Sequence, residues 1–177
     1  MMITKETFRK TEARLYNYYK QLKILEKLKC KIKLLKMQQA EIETEMKNLN
    51  NLTLEVYANM GIDYSRDKIQ TTSTGTGESE RETIKYITRL EKERDHKVRE
   101  IMKCNARLRE IDLQCQDMKY NLSMLNEECR RFIEWKYAEG KSIEWVAEEM
   151  YLGSRATAYR KRDELVEGIA QWSGVSL

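Results

Sequence analysis

Proline is absent from this chain, and glycine occurs only seven times in 177 residues. Proline removes a backbone N–H and clashes with the preceding turn, so its absence lets helices run long. Histidine occurs once, at His96. It has no cysteine or histidine at ligand spacing, so no zinc site is expected. No window approaches about 18 uninterrupted apolar residues, which excludes an obvious membrane span. The opening "MMITKETFRK" lacks the apolar core of a signal peptide. The four cysteines, Cys30, Cys104, Cys115 and Cys129, show no CxxC spacing. They read as reduced thiols of a cytoplasmic protein. Phosphate-loop, nucleophile–base and metal-cluster patterns are all lacking, so neither an enzyme nor a cofactor is expected.

Charged residues make up 35% of the chain and hydrophobic residues 41%. A proline-free chain rich in Lys, Glu, Leu, Met and Gln reads as all-α, built on long helices. The charge is uneven. Residues 1–50 hold twelve Lys/Arg against six Asp/Glu, and residues 127–177 hold eight against ten. The C-terminal region is therefore not basic as a whole, and its positive charge is concentrated locally.

Residues 1–60 predict one long helix. An apolar stripe starts at Leu15, Tyr18, Leu22, Leu25 and Leu28 and continues through Ile32, Leu35, Ile42, Met46, Leu49, Leu52 and Val56. Its steps of three and four make a coiled-coil seam. Gln39 is the polar break, of a kind that can fix register or oligomer state. The aromatic cluster Tyr16, Tyr18 and Tyr19 reads as seam packing or as a partner surface. Seven lysines between Lys20 and Lys36 read as a solvated face or as a contact to DNA phosphate.

Residues 61–79 hold Gly, Ser, Thr and Asp without periodicity and predict a flexible linker. Residues 80–125 predict a second long helix. Two heptad series run through it, Ile101–Leu108–Cys115–Leu122–Cys129 and Cys104–Ile111–Met118–Leu125–Phe132. On these seams Cys104, Cys115 and Cys129 act as small hydrophobes. The two seams predict an antiparallel helical hairpin. A homodimer joined through the same coiled coil satisfies the pattern equally.

Residues 126–177 predict short helices with a small core of their own. Gly140 ends the first. Ser142 caps the second, whose inner face is Ile143, Val146, Ala147 and Met150. The small Ala147 allows close helix crossing. "YLG" is a turn, after which Ser154 caps a third helix. That helix turns Ala158, Leu165, Val166 and Ile169 inward and Arg155, Ala156, Tyr159, Arg160 and Asp163 outward. The layout predicts a helix-turn-helix. Arg155, Arg160, Lys161 and Arg162 lie in the half of the last helix that would enter a major groove of double-stranded DNA.

"NEECRRFIEWKYAEGKSIEWVAEEM" followed by "SRATAYRKRDEL" resembles domain four of bacterial sigma factors. The resemblance is carried by an acidic start, Arg130–Arg131, an apolar pair, Tyr137, Gly140, a polar cap, Val146–Ala147 and Ser154-x-x-Thr157. The whole chain is similar to phage-encoded sigma-like regulators, late-gene activators of the RinA/ArpU type. That resemblance implies promoter binding together with RNA polymerase. On its pattern the DNA-contacting residues are Ser154, Arg155, Thr157, Tyr159, Arg160, Lys161 and Arg162. The turn departs from the family, with Tyr151 where glycine is common and Gly153 inserted before Ser154. It predicts a longer turn or a second helix that runs on. Two rival readings are a small terminase subunit for phage DNA packaging and a coiled-coil interaction protein without DNA binding.

Overall fold

The computed structural model describes residues 4–59 and 78–173, with side chains placed for 4–49 and 81–173. The expected linker lies outside the described residues except at its end, where Glu78 and Ser79 already belong to the second helix. The described residues are all-helical, with no strand among them. They form α1 (Lys5–Asn59), α2 (Glu78–Ser123), α3 (Glu127–Ile133) with a π-helical continuation over Glu134–Ala138, α4 (Ile143–Met150) and α5 (Arg155–Trp172). Helix α2 therefore ends two residues before Leu125. Among the described residues, no helix is long and apolar enough to cross a membrane.

The chain divides into two compact units, one of residues 30–106 and one of residues 1–29 with 107–177. In the first, α1 packs on α2 through Ile32, Leu35 and Ile42 on one side and Leu90, Ile101 and Cys104 on the other, all buried. Polar contacts flank this seam. Lys31 Nζ lies 3.4 Å from Glu100 Oε2, Lys97 Nζ donates to Gln38 Oε1 at 3.0 Å, and the Tyr86 hydroxyl donates to Glu45. Residue numbers rise along α1 as they fall along α2, so the pairing is antiparallel. Gln39 does not play the part expected of it. Its Nε2 donates to Glu43 Oε1 on its own helix at 2.8 Å, and its neighbour Gln38 makes the cross-helix contact. An amide satisfied within its own turn does not discriminate between registers.

The other unit holds a single hydrophobic core. Leu15, Tyr18 and Leu25 of α1 and Ile111, Cys115, Met118 and Leu122 of α2 form one part of it. The seam starts earlier than the apolar stripe indicated, because Thr7 and Thr11 are also buried. The Thr11 hydroxyl donates to the Thr7 carbonyl at 2.9 Å, which satisfies it without a partner on another helix. Cys115 donates from Sγ to Gln21 Oε1 at 3.2 Å, and burial raises its pKa, so it stays a thiol. All four cysteines are free, with Cys30 exposed and the three seam thiols buried.

The heptads of α2 continue across the break at Ser123 into α3, where Leu125, Cys129 and Phe132 are buried. Arg130 holds this corner, its Nη2 donating to the carbonyls of Ser123 and Leu125 at 3.3 and 3.0 Å. Asn126 caps α3, its side chain accepting from Cys129 N at 2.9 Å. Cys129, Phe132, Ile133, Val146, Ala147, Ala158, Val166 and Ile169 complete the core.

Residues 126–173 do not close this core alone. A second face of α1 meets them. Phe8 lies under the Arg162 guanidinium, with Cζ 5.1 Å from the ring centroid. Glu12 Oε1 accepts from the Tyr137 hydroxyl at 2.9 Å. Tyr16 packs edge-on against Tyr137 at 4.9 Å, and Lys23 Nζ donates to the Ala138 carbonyl at 3.1 Å. Burial raises the Tyr137 pKa, with Glu12 adding to the shift, so this phenol remains a donor.

Candidate nucleic-acid interface

Helix α4 starts where Gly140, at φ +74°, lets the chain leave the π-helical segment. Ser142 caps it as expected, Oγ accepting from Trp145 N at 3.1 Å. Ile143, Val146 and Ala147 are buried, and Ala147 packs with almost no exposure between helices.

The turn resolves the departure noted above. α4 does not run on. It stops at Met150, and the extra residue is taken up by two successive left-handed residues, Leu152 at φ +49° and Gly153 at φ +83°. Gly153 N donates back to the Ala147 carbonyl at 2.9 Å and Ser154 N to that of Tyr151 at 2.9 Å. Leucine is costly in this region, by about 1–2 kcal/mol, because Cβ crowds the carbonyl that follows. Leu152 is also fully exposed, so its side chain returns no burial. Leu152→Gly is therefore expected to stabilise the protein by about 0.5–1 kcal/mol after glycine's extra chain entropy is counted. Urea denaturation measures this, and a destabilised variant would show that the turn carries no strain.

Ser154 occupies the cap position of α5, but its side chain makes no hydrogen bond to the first-turn N–H groups. Its hydroxyl pairs with Thr157 Oγ1 instead, at 2.8 Å. The first turn of an 18-residue helix thus opens without a side-chain cap. Such an end attracts anions through its free N–H groups and the helix dipole.

The basic residues of α5 fall into two groups. Arg155 and Arg160 are exposed and make no salt bridge among the described residues. Lys161 and Arg162 are partly covered and already engaged. Lys161 Nζ lies 3.5 Å from Glu164 Oε2. Arg162 donates from Nε and Nη2 to Asp163 Oδ1 at 2.9 and 2.6 Å and stacks over both Phe8 and Tyr159. Burial works against the Arg162 charge, and the Asp163 carboxylate outweighs it. Arg162 serves the packing of α5 on α1, and its spacing agrees, four residues after Ala158 and four before Val166 on the inner face.

Tyr159 lies on the exposed face, and its hydroxyl donates to Glu144 Oε1 at 3.0 Å, tying α5 to the start of α4. The Glu144 pKa is lowered by its own backbone N–H, then by Tyr159 and, more weakly, by Arg155. Glu144 was not foreseen, because an acidic residue in a first helical turn is commonplace. Ala158, Leu165, Val166 and Ile169 form the buried face, and Ala170 joins them.

No protein-family model, curated protein or solved structure matches this chain. The physical content of the site is therefore an 18-residue helix pinned on one face by the core. Arg155, Tyr159 and Arg160 are exposed on it, after the turn at Leu152 and Gly153. Among the described residues, no group of three His, Cys, Asp or Glu side chains could hold a metal ion.

Proposed function

We propose that this protein is a sequence-specific double-stranded-DNA-binding regulator of transcription, without enzymatic activity, of the sigma-like kind that phages encode. In this reading α4, the turn and α5 are a helix-turn-helix, and α5 is the recognition helix. The observation that carries it is that Arg155 and Arg160 are exposed and make no salt bridge among the described residues, on a helix seated in the core. A guanidinium with no partner can take guanine bidentately, and one already paired must first give up its carboxylate. Arg155, Tyr159 and Arg160 are therefore the base-reading candidates. Ser154, Thr157 and the open first turn of α5 suit phosphate. Lys161 and Arg162 act from the side, as screened charges. The α1–α2 pair, read as an antiparallel coiled coil, is the arm through which a cytoplasmic RNA polymerase would be met.

The test is selection of target DNA by the full chain from random duplexes, followed by binding titrations at fixed salt. Arg155→Ala and Arg160→Ala are each expected to weaken specific binding by about 1–3 kcal/mol and to relax sequence preference at one position. Lys161→Ala should have a smaller effect, alike on all sequences. If no duplex is enriched, or both arginine variants bind the selected site like the parent, the reading fails.

A further inference from the structure

Large apolar side chains stand in water on the face of α2 that α1 does not cover. Leu113 is 72% exposed, Tyr120 is 65%, and Met124, just after the helix, is 59%. Their placement is symmetric about Leu113. Arg109 and Asp117 lie four residues to either side, and both are exposed. The sequence continues the symmetry outward, with Ala106 and Tyr120 seven residues away and Met102 and Met124 eleven. Ala106 and Met102 are also exposed. Within α2, steps of four and three keep the positions from 102 to 120 on one stripe of a helix with 3.6 residues per turn, and Met124 follows directly after its end.

We propose that this stripe is the interface of a homodimer in which two copies of α2 pack antiparallel about a two-fold axis at Leu113. An isologous interface requires that if one residue meets a second, the second meets the first. A stripe symmetric about its centre meets that requirement. Arg109 of each copy faces Asp117 of the other, giving two ion pairs. Small Ala106 faces large Tyr120, Met102 faces Met124, and Leu113 faces its own counterpart. The charges select this arrangement. Arg109 and Asp117 make no salt bridge among the described residues, although Arg107 beside them pairs with Glu110 at 2.7 Å. On one helix they stand ~12 Å apart along the axis, beyond pairing distance. A parallel dimer would set arginine against arginine and aspartate against aspartate, which is repulsive. The inner seams of α1 and α2 are already buried within one chain. A dimer through those seams would have to open them, and the outer stripe needs no such change. The dimer stands independently of the DNA reading. If both hold, the DNA target has two-fold-related half-sites.

Sedimentation velocity of the full chain without DNA tests the dimer directly. The parent is expected to be in concentration-dependent equilibrium between monomer and dimer. Arg109→Asp and Asp117→Arg each place like charges together twice per dimer and should raise the dimer Kd about tenfold or more. The double variant exchanges the partners and should return to within about threefold of the parent. Leu113→Glu should be monomeric with an unchanged circular dichroism spectrum, since the side chain is exposed. A parent that stays monomeric, or assembles beyond a dimer, overturns the proposal. So does a dimer indifferent to either charge reversal, or one that the double variant fails to restore.

Discussion

Leu15→Asp is expected to abolish the cooperative melt of the unit formed by residues 1–29 and 107–177. Leu15 is among the largest fully buried side chains, and it lies in the core that also holds Ile111, Phe132 and Val146. Removing a buried leucine costs about 2–5 kcal/mol through lost transfer energy and the cavity left behind. A carboxylate in its place must be desolvated without a partner or protonated, either of which adds further cost. The total approaches the whole stability of an ordinary domain, about 5–15 kcal/mol. Leu15→Met, which conserves volume, should lose less than about 1.5 kcal/mol. Thermal and urea melts followed by circular dichroism decide this. An aspartate variant that melts within a few degrees of the parent would mean that the N-terminal helix does not complete this core.

Phe132→Ala is expected to cost about 3–5 kcal/mol, the range for a buried aromatic truncated to a methyl group. Phe132 is fully buried, and its ring lies 6.4 Å from that of Tyr151, centroid to centroid. Tyr151 ends α4, and its hydroxyl donates to Glu128 Oε1 of α3 at 3.1 Å. Phe132 and Glu128 thus seat from below the turn that sets the direction of α5. A conservative partner, Phe132→Leu, keeps much of the apolar area and should lose far less. Urea denaturation of the three proteins measures the difference. A cost under about 1 kcal/mol for the alanine variant would show that the turn is seated by something else.

Much of α2 and of the C-terminal helices was legible in advance. The heptads of α2 place Cys104, Ile111, Cys115, Met118 and Leu122 in the core, where all are buried. Helical spacing likewise separates the inner face of α5, Ala158, Leu165, Val166 and Ile169, from Arg160, whereas Arg155 shares that stripe and is exposed at the first residue of the helix. Ser142 was legible as a cap because capping needs only the residue and the helix that follows it. Ser154 met the same rule and failed it, because Thr157 competes for its hydroxyl at one turn's distance.

The sequence by itself determined the properties that depend on near neighbours along the chain. These are the all-helical character, the succession of two long helices and then shorter ones, and most of the buried seam on each. Hydrophobic periodicity and the absence of proline act over one or two turns and leave a local signal. Only the tertiary structure decided which residues from distant segments meet. The second face of α1, made of Phe8, Glu12, Tyr16 and Lys23, has no apolar period to mark it. Its contact between Tyr137 and Glu12 joins residues 125 apart in the chain. Packing likewise sets Arg162 apart within the basic cluster, because Phe8 of α1 lies under its guanidinium. Its ion pair with Asp163, like that of Lys161 with Glu164, is local to α5. Only packing brings Phe8, from the start of α1, against Arg162, since the two residues lie far apart in the chain.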